Sequence, residues 1–127
     1  MQGKYLYEYA VIRVLPRIER EEFINIGIIL FSKEKKYINF IYEINENRIS
    51  LFLEDFDIEQ LKKIMDSYKK ISLGDKEAGE IAKLDVAERF RWLTSVRSSC
   101  IQVSPSHSGF SNNLDETTEV LFQELVL

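Results

Sequence analysis

Hydrophobic residues come first in strand-like runs and later, beyond residue 57, at helical spacing. Residues 5–14 read Y-L-Y-E-Y-A-V-I-R-V, apolar or aromatic on both alternating faces, the pattern of a strand covered on both sides. Pro16 ends it, since proline has no N–H to give a ladder. A charged connection, R-I-E-R-E-E, leads to a β-branched run over 23–31, where Asn25 and Gly27 are expected to interrupt one face. Residues 32–36 form a polar turn and residues 37–42 a third strand. Consecutive strands joined this closely pair antiparallel, so the first third is predicted to be a three-stranded meander.

Helical signals follow. Asp57 with Gln60 makes a capping box, and Ile58, Leu61, Ile64, Met65 and Tyr68 share one stripe, leaving Lys62, Lys63, Asp66, Lys69 and Lys70 to water. The helix is expected to stop over 71–74, and a short, weaker helix is placed at 76–84. Asp85 with Glu88 makes a second capping box, opening a helix with Val86, Phe90 and Leu93 on one face and an end near Ser95. Residues 99–103 read as a fourth short strand, 104–113 as a Ser/Pro/Gly/Asn loop, and the chain from Leu114 as a closing helix carrying Leu121, Phe122 and Leu125. The fold class is therefore α+β: a meander and a later short strand packed against three or four helices, in one domain spanning residues 1–127.

Size and composition agree with that reading. In 127 residues, 45% hydrophobic and 12% aromatic, there is enough apolar material for a core without a disulfide or metal. The single cysteine, Cys100, has no partner within the chain, and no leader segment or membrane-length apolar run is found, so a cytoplasmic protein is expected. A net charge of −4 argues against nucleic acid, whose non-specific binding rests on clustered Lys and Arg.

Candidate chemistry is sparse. One histidine and one cysteine make no His/Cys zinc site, the carboxylates lack calcium-loop spacing, and no glycine-rich phosphate motif occurs, so neither metal nor cofactor is expected. A Cys100–His107 nucleophilic pair is conceivable, but a cysteine in an apolar strand pattern reads first as a small buried thiol. Trp92 reads as a core or interface anchor rather than a stacking platform.

Two polar segments stand out. In the first, Arg13 and Asn25 break otherwise apolar strands, with Arg17, Glu19 and Glu22 between them. Arg13 could brace the hairpin by pairing with Glu19 or Glu22, or offer a guanidinium fork to a partner's carboxylate or phosphate. In the second, Arg97, Ser98, Ser99, Gln102, Ser104 and His107 crowd a helix-to-strand turn. Caps and turns account for several of the serines; convergent donors are also what an anion or peptide site requires. The candidate binding set is thus Arg13, Arg17, Glu19, Glu22, Asn25, Arg97, Ser98, Gln102, Ser104 and His107, with no catalytic residue assigned.

These segments carry a family resemblance. The stretch Y-E-Y-A-V-I-R-V-L-P-R-I-E-R-E-E-F-I-N-I-G-I-I-L-F over 7–31, and R-F-R-W-L-T-S-V-R-S-S-C-I-Q-V-S-P-S-H-S-G over 89–109, resemble the bacterial domain-of-unknown-function family 3037. The resemblance draws attention to the same polar residues together with Gly27 and Gly109, and implies no activity. It suggests a partner or regulator of a HipA-like kinase. The function expected is a non-catalytic protein-interaction or regulatory module. The alternatives are a small enzyme or nucleotide/phosphate-binding domain in which Arg13, Arg17 and Arg97 clamp phosphate beside His107 or Glu22, and a nucleic-acid-associated protein.

Overall fold

A computed structural model describes residues 4–17, 22–52, 56–95 and 101–127. The predicted meander is present: β1 (Tyr5–Arg17), β2 (Glu22–Ser32) and β3 (Tyr37–Tyr42) pair antiparallel in sequence order. On the other side of β1 lie β4 (Ile101–Val103) and β5 (His107–Ser111), both antiparallel to it. The residues expected to form one loop over 104–113 are thus corrected: half of them resume the edge strand. Ser104 holds the break together, its N–H donating to Val11 O at 2.8 Å while its Oγ accepts the Val11 N–H at 2.8 Å.

Helices cover both faces, so β1 is apolar in both directions at its centre. On one face α1 (Glu46–Phe52), α2 (Ile58–Leu73) and α3 (Val86–Ser95) build the main core, where Ile49, Leu61, Met65, Phe90 and Leu93 meet Ala10, Ile12, Val14, Ile29 and Phe40. On the other, α4 (Leu114–Leu125) sets Phe122, and Val126 just beyond it, against Val11 and Ile28. The capping boxes form as their sequences dictate: Asp57 accepts the Gln60 N–H and Asp85 the Glu88 N–H, both at 2.9 Å. Gly74, at φ 72°, closes α2 in the left-handed conformation that glycine adopts without steric cost.

Three further expectations are corrected. Residues 76–84 form two 3-10 turns, Lys76–Ala78 and Ile81–Lys83, rather than a helix, and α1 has no counterpart in the predicted elements. Lys69 does not simply point to water: it is half-buried, its ammonium donates to Phe40 O at 2.5 Å, and burial lowers its pKa. Asn25 and Gly27 do not share a face. The β1–β2 register slips by one residue between Ile12↔Gly27 and Arg13↔Asn25, leaving Ile26 as the extra residue. Asn25 turns toward α4, while a Cβ on Gly27 would stand 2.9 Å from Phe40 Cε1, on the main-core side.

Candidate functional site

The register slip builds the site. It places Asn25 opposite Arg13 on β2, and Gln102 lies opposite Arg13 on β4, so three polar side chains form a row across adjacent strands. Two of the interruptions seen in the first polar segment and one from the second therefore meet on the α4 side of the sheet. Arg13 lies over the Phe23 ring, its Cζ 4.3 Å from the centroid, a cation–π contact worth about 0.5–1 kcal/mol near a surface. Asn25 Nδ2 donates to Leu125 O at 2.9 Å, tying the row to the last turn of α4. Arg13 Nε and Asn25 Oδ1 are both buried without a hydrogen-bond partner. Among the described side chains no carboxylate stands within ion-pair range of Arg13.

The same face continues along β1 into an aromatic strip. Tyr7 and Tyr9 have ring centroids 6.3 Å apart, and Tyr9 meets His107, its cross-strand partner on β5, at 5.4 Å. Burial, and then Tyr9, raise the Tyr7 pKa. Because α4 lies chiefly over β2 and β3, this strip stays half open, with His107 and Gln102 exposed. His107 and Arg13 share the face but are four β1 positions apart in register, roughly 13 Å along the strand.

The remaining site residues divide plainly. Ser104 is buried and structural, its hydroxyl accepting from Val11 N and donating to Pro105 O. Arg17 and Glu22 are Cα partners across the hairpin, but their side chains lie outside the described residues, as do Glu19, Arg97, Ser98, Ser99 and Cys100 entirely. Arg89, the first residue of the 89–109 stretch, is a helix cap: its Nη1 donates to Ile71 O and Ser72 O at the end of α2. Trp92 packs edge-on against Tyr68 at 6.2 Å and remains partly exposed. Phe23, Tyr7 and Tyr9 escaped sequence reasoning, because apolar alternation reports burial and says nothing of which half of a face a helix leaves bare.

Among the described residues no group of three or more His, Cys, Asp or Glu could hold a metal ion, and no helix is long and apolar enough to cross a membrane. The molecule is thus an α+β domain with a partly uncovered polar and aromatic sheet face. Residues 9–126 match the family model described as a protein of unknown function, DUF3037, and the chain belongs to that family. No curated protein and no solved structure matches it.

Proposed function

We propose that the chain is a non-catalytic recognition module that seats a polypeptide segment of a partner protein on the half-open strip running from Tyr7 to Arg13, which α4 covers at Val11. The observation that carries this reading is the strip's shape. Its groups follow one strand over seven residues, roughly 20 Å from end to end, which suits an extended segment better than a compact phosphate. Tyr9 and His107 offer ring faces, Gln102 offers an amide, and Arg13 offers a guanidinium to a carboxylate on the partner. A HipA-like kinase is the first partner to try, because resemblance to the family suggests one.

Calorimetric titration of the purified chain against such a kinase tests this. Saturable binding is expected, weakened tenfold or more by Arg13→Ala and by Tyr9→Ala, with unchanged circular dichroism. Heat absent at every concentration, or full affinity in both variants, overturns the reading.

A further inference from the structure

The two edges of the sheet are treated differently. At the β3 edge, Lys69 reaches across from α2 and its ammonium occupies the Phe40 carbonyl, a charged guard of the kind that stops strands from adding. At the opposite edge nothing among the described residues pairs with the outer side of β5. Neither β4 nor β5 carries an Asp, Glu, Lys or Arg, in a chain 30% charged. Pro105 interrupts only the junction between them.

On the main-core face of that bare edge sit Leu6 and Phe110, cross-strand partners that are 46% and 64% exposed. Beside Leu6 a hollow opens toward Ala87 and Arg91 of α3. On the other face Tyr7 fills the space above Gly109, where a Cβ would lie 2.6 Å from its hydroxyl. The edge strand itself is therefore neutral, and on the main-core face it is apolar where Phe110 stands beside Leu6.

We propose that a second copy of this chain covers it, β5 pairing antiparallel with its counterpart about a two-fold axis at Phe110. That axis brings the two Phe110 side chains opposite each other and extends the observed Leu6–Phe110 pair into a row of four apolar residues across four strands. A free peptide would cover Phe110 alone, whereas a folded copy supplies both residues in register. Two identical neutral edges also meet without like-charge repulsion, despite the net charge of −4 on each chain. The Leu6–Phe110 row faces away from the Tyr7–Arg13 strip; β5 itself carries one strip residue, His107, whereas Arg13 lies beside β4, so Arg13→Ala separates partner binding from dimer formation.

Sedimentation equilibrium of the full chain across the micromolar range tests the dimer. The wild type is expected to reach twice the monomer mass, and Phe110→Asp and Leu6→Lys to stay monomeric with native circular dichroism. Register is read by mild oxidation in a Cys100→Ser background. Phe110→Cys should crosslink as a covalent dimer, since paired Cα atoms about 5 Å apart admit a disulfide, while Leu6→Cys, three strand spacings from its mate, should not. A wild type that stays monomeric throughout, a Phe110→Asp variant that dimerises as well as the wild type, or crosslinking at residue 6 rather than 110 overturns the proposal. Loss of kinase binding with an intact dimer would count against the proposed function alone.

Discussion

Ser104 and Val11 pair in both directions, with the serine side chain standing in for a backbone carbonyl. Val11 N–H has no ladder partner where the edge strand breaks, and Ser104 Oγ accepts it at 2.8 Å while donating to Pro105 O at 3.0 Å. Ser104→Ala should therefore orphan a buried backbone donor and cost about 1–3 kcal/mol. Urea denaturation measures it. A loss below a few tenths of a kcal/mol would mean that water or a shifted backbone replaces the hydroxyl.

That pair also shows where sequence reasoning stops. The meander was legible because strands 5–14, 23–31 and 37–42 are β-branched and separated by a charged connection and a polar turn, and the capped helices because Asp57 and Asp85 stand three residues before Gln60 and Glu88. The split edge strand was not. His-Ser-Gly-Phe-Ser has a loop's composition, and only the open flank of β1 makes it extend. Likewise Asn25 and Gly27 share a parity in sequence, and the one-residue slip that separates them depends on packing Ile24, Ile26 and Ile29 into one core. Arg13, Asn25 and Gln102 could be picked out as misplaced polar groups, but their adjacency is a matter of strand register, which no local pattern encodes.

Gly27 and Gly109 should differ in tolerance to alanine. At Gly27 the added methyl meets Phe40 Cε1 at 2.9 Å, Ile41 O at 3.1 Å and Tyr42 Cβ at 3.2 Å, in a fully packed region flanked by backbone. Overpacking there should cost about 1–3 kcal/mol. At Gly109 the methyl meets only the Tyr7 ring end, which can swing outward. Gly109→Ala should thus cost less, with the change seen in Tyr7 fluorescence and in partner binding. Equal losses in thermal unfolding would contradict this ranking.

Asn25 links the candidate site to α4. Its Nδ2 donates to Leu125 O at the helix end, so Asn25→Ala should release the last turn of α4 and cost about 1 kcal/mol. Amide exchange should quicken at Val126 and Leu127, whose N–H groups donate to Phe122 O, while the capped start of α4 at Asn113 stays protected. Faster exchange along the whole helix would show instead that Asn25 anchors the entire element.

Alkaline titration probes the other end of α4. Tyr37 donates to Asp115 Oδ1 at 2.6 Å and accepts from Asn39 Nδ2 at 3.0 Å, and burial, followed by Asp115, raises its pKa above the ordinary 10.0. The folded state thus holds the phenol proton more tightly than the unfolded chain, so the contribution to stability is complete below pH 10.0 and is lost as pH rises through the raised value. Tyr7, also raised, acts in the same sense. Lys69, lowered by burial, acts oppositely, its contribution growing as pH rises through its lowered pKa toward the unfolded value. Tyr37→Phe should accordingly reduce stability at neutral pH, through the lost bond to Asp115, and flatten the decline above pH 10.0, leaving the part owed to Tyr7. Unfolding free energies from urea titrations on either side of that pH give both slopes. An unchanged slope in the variant would show that the Tyr37 proton is not what the alkaline limb reports.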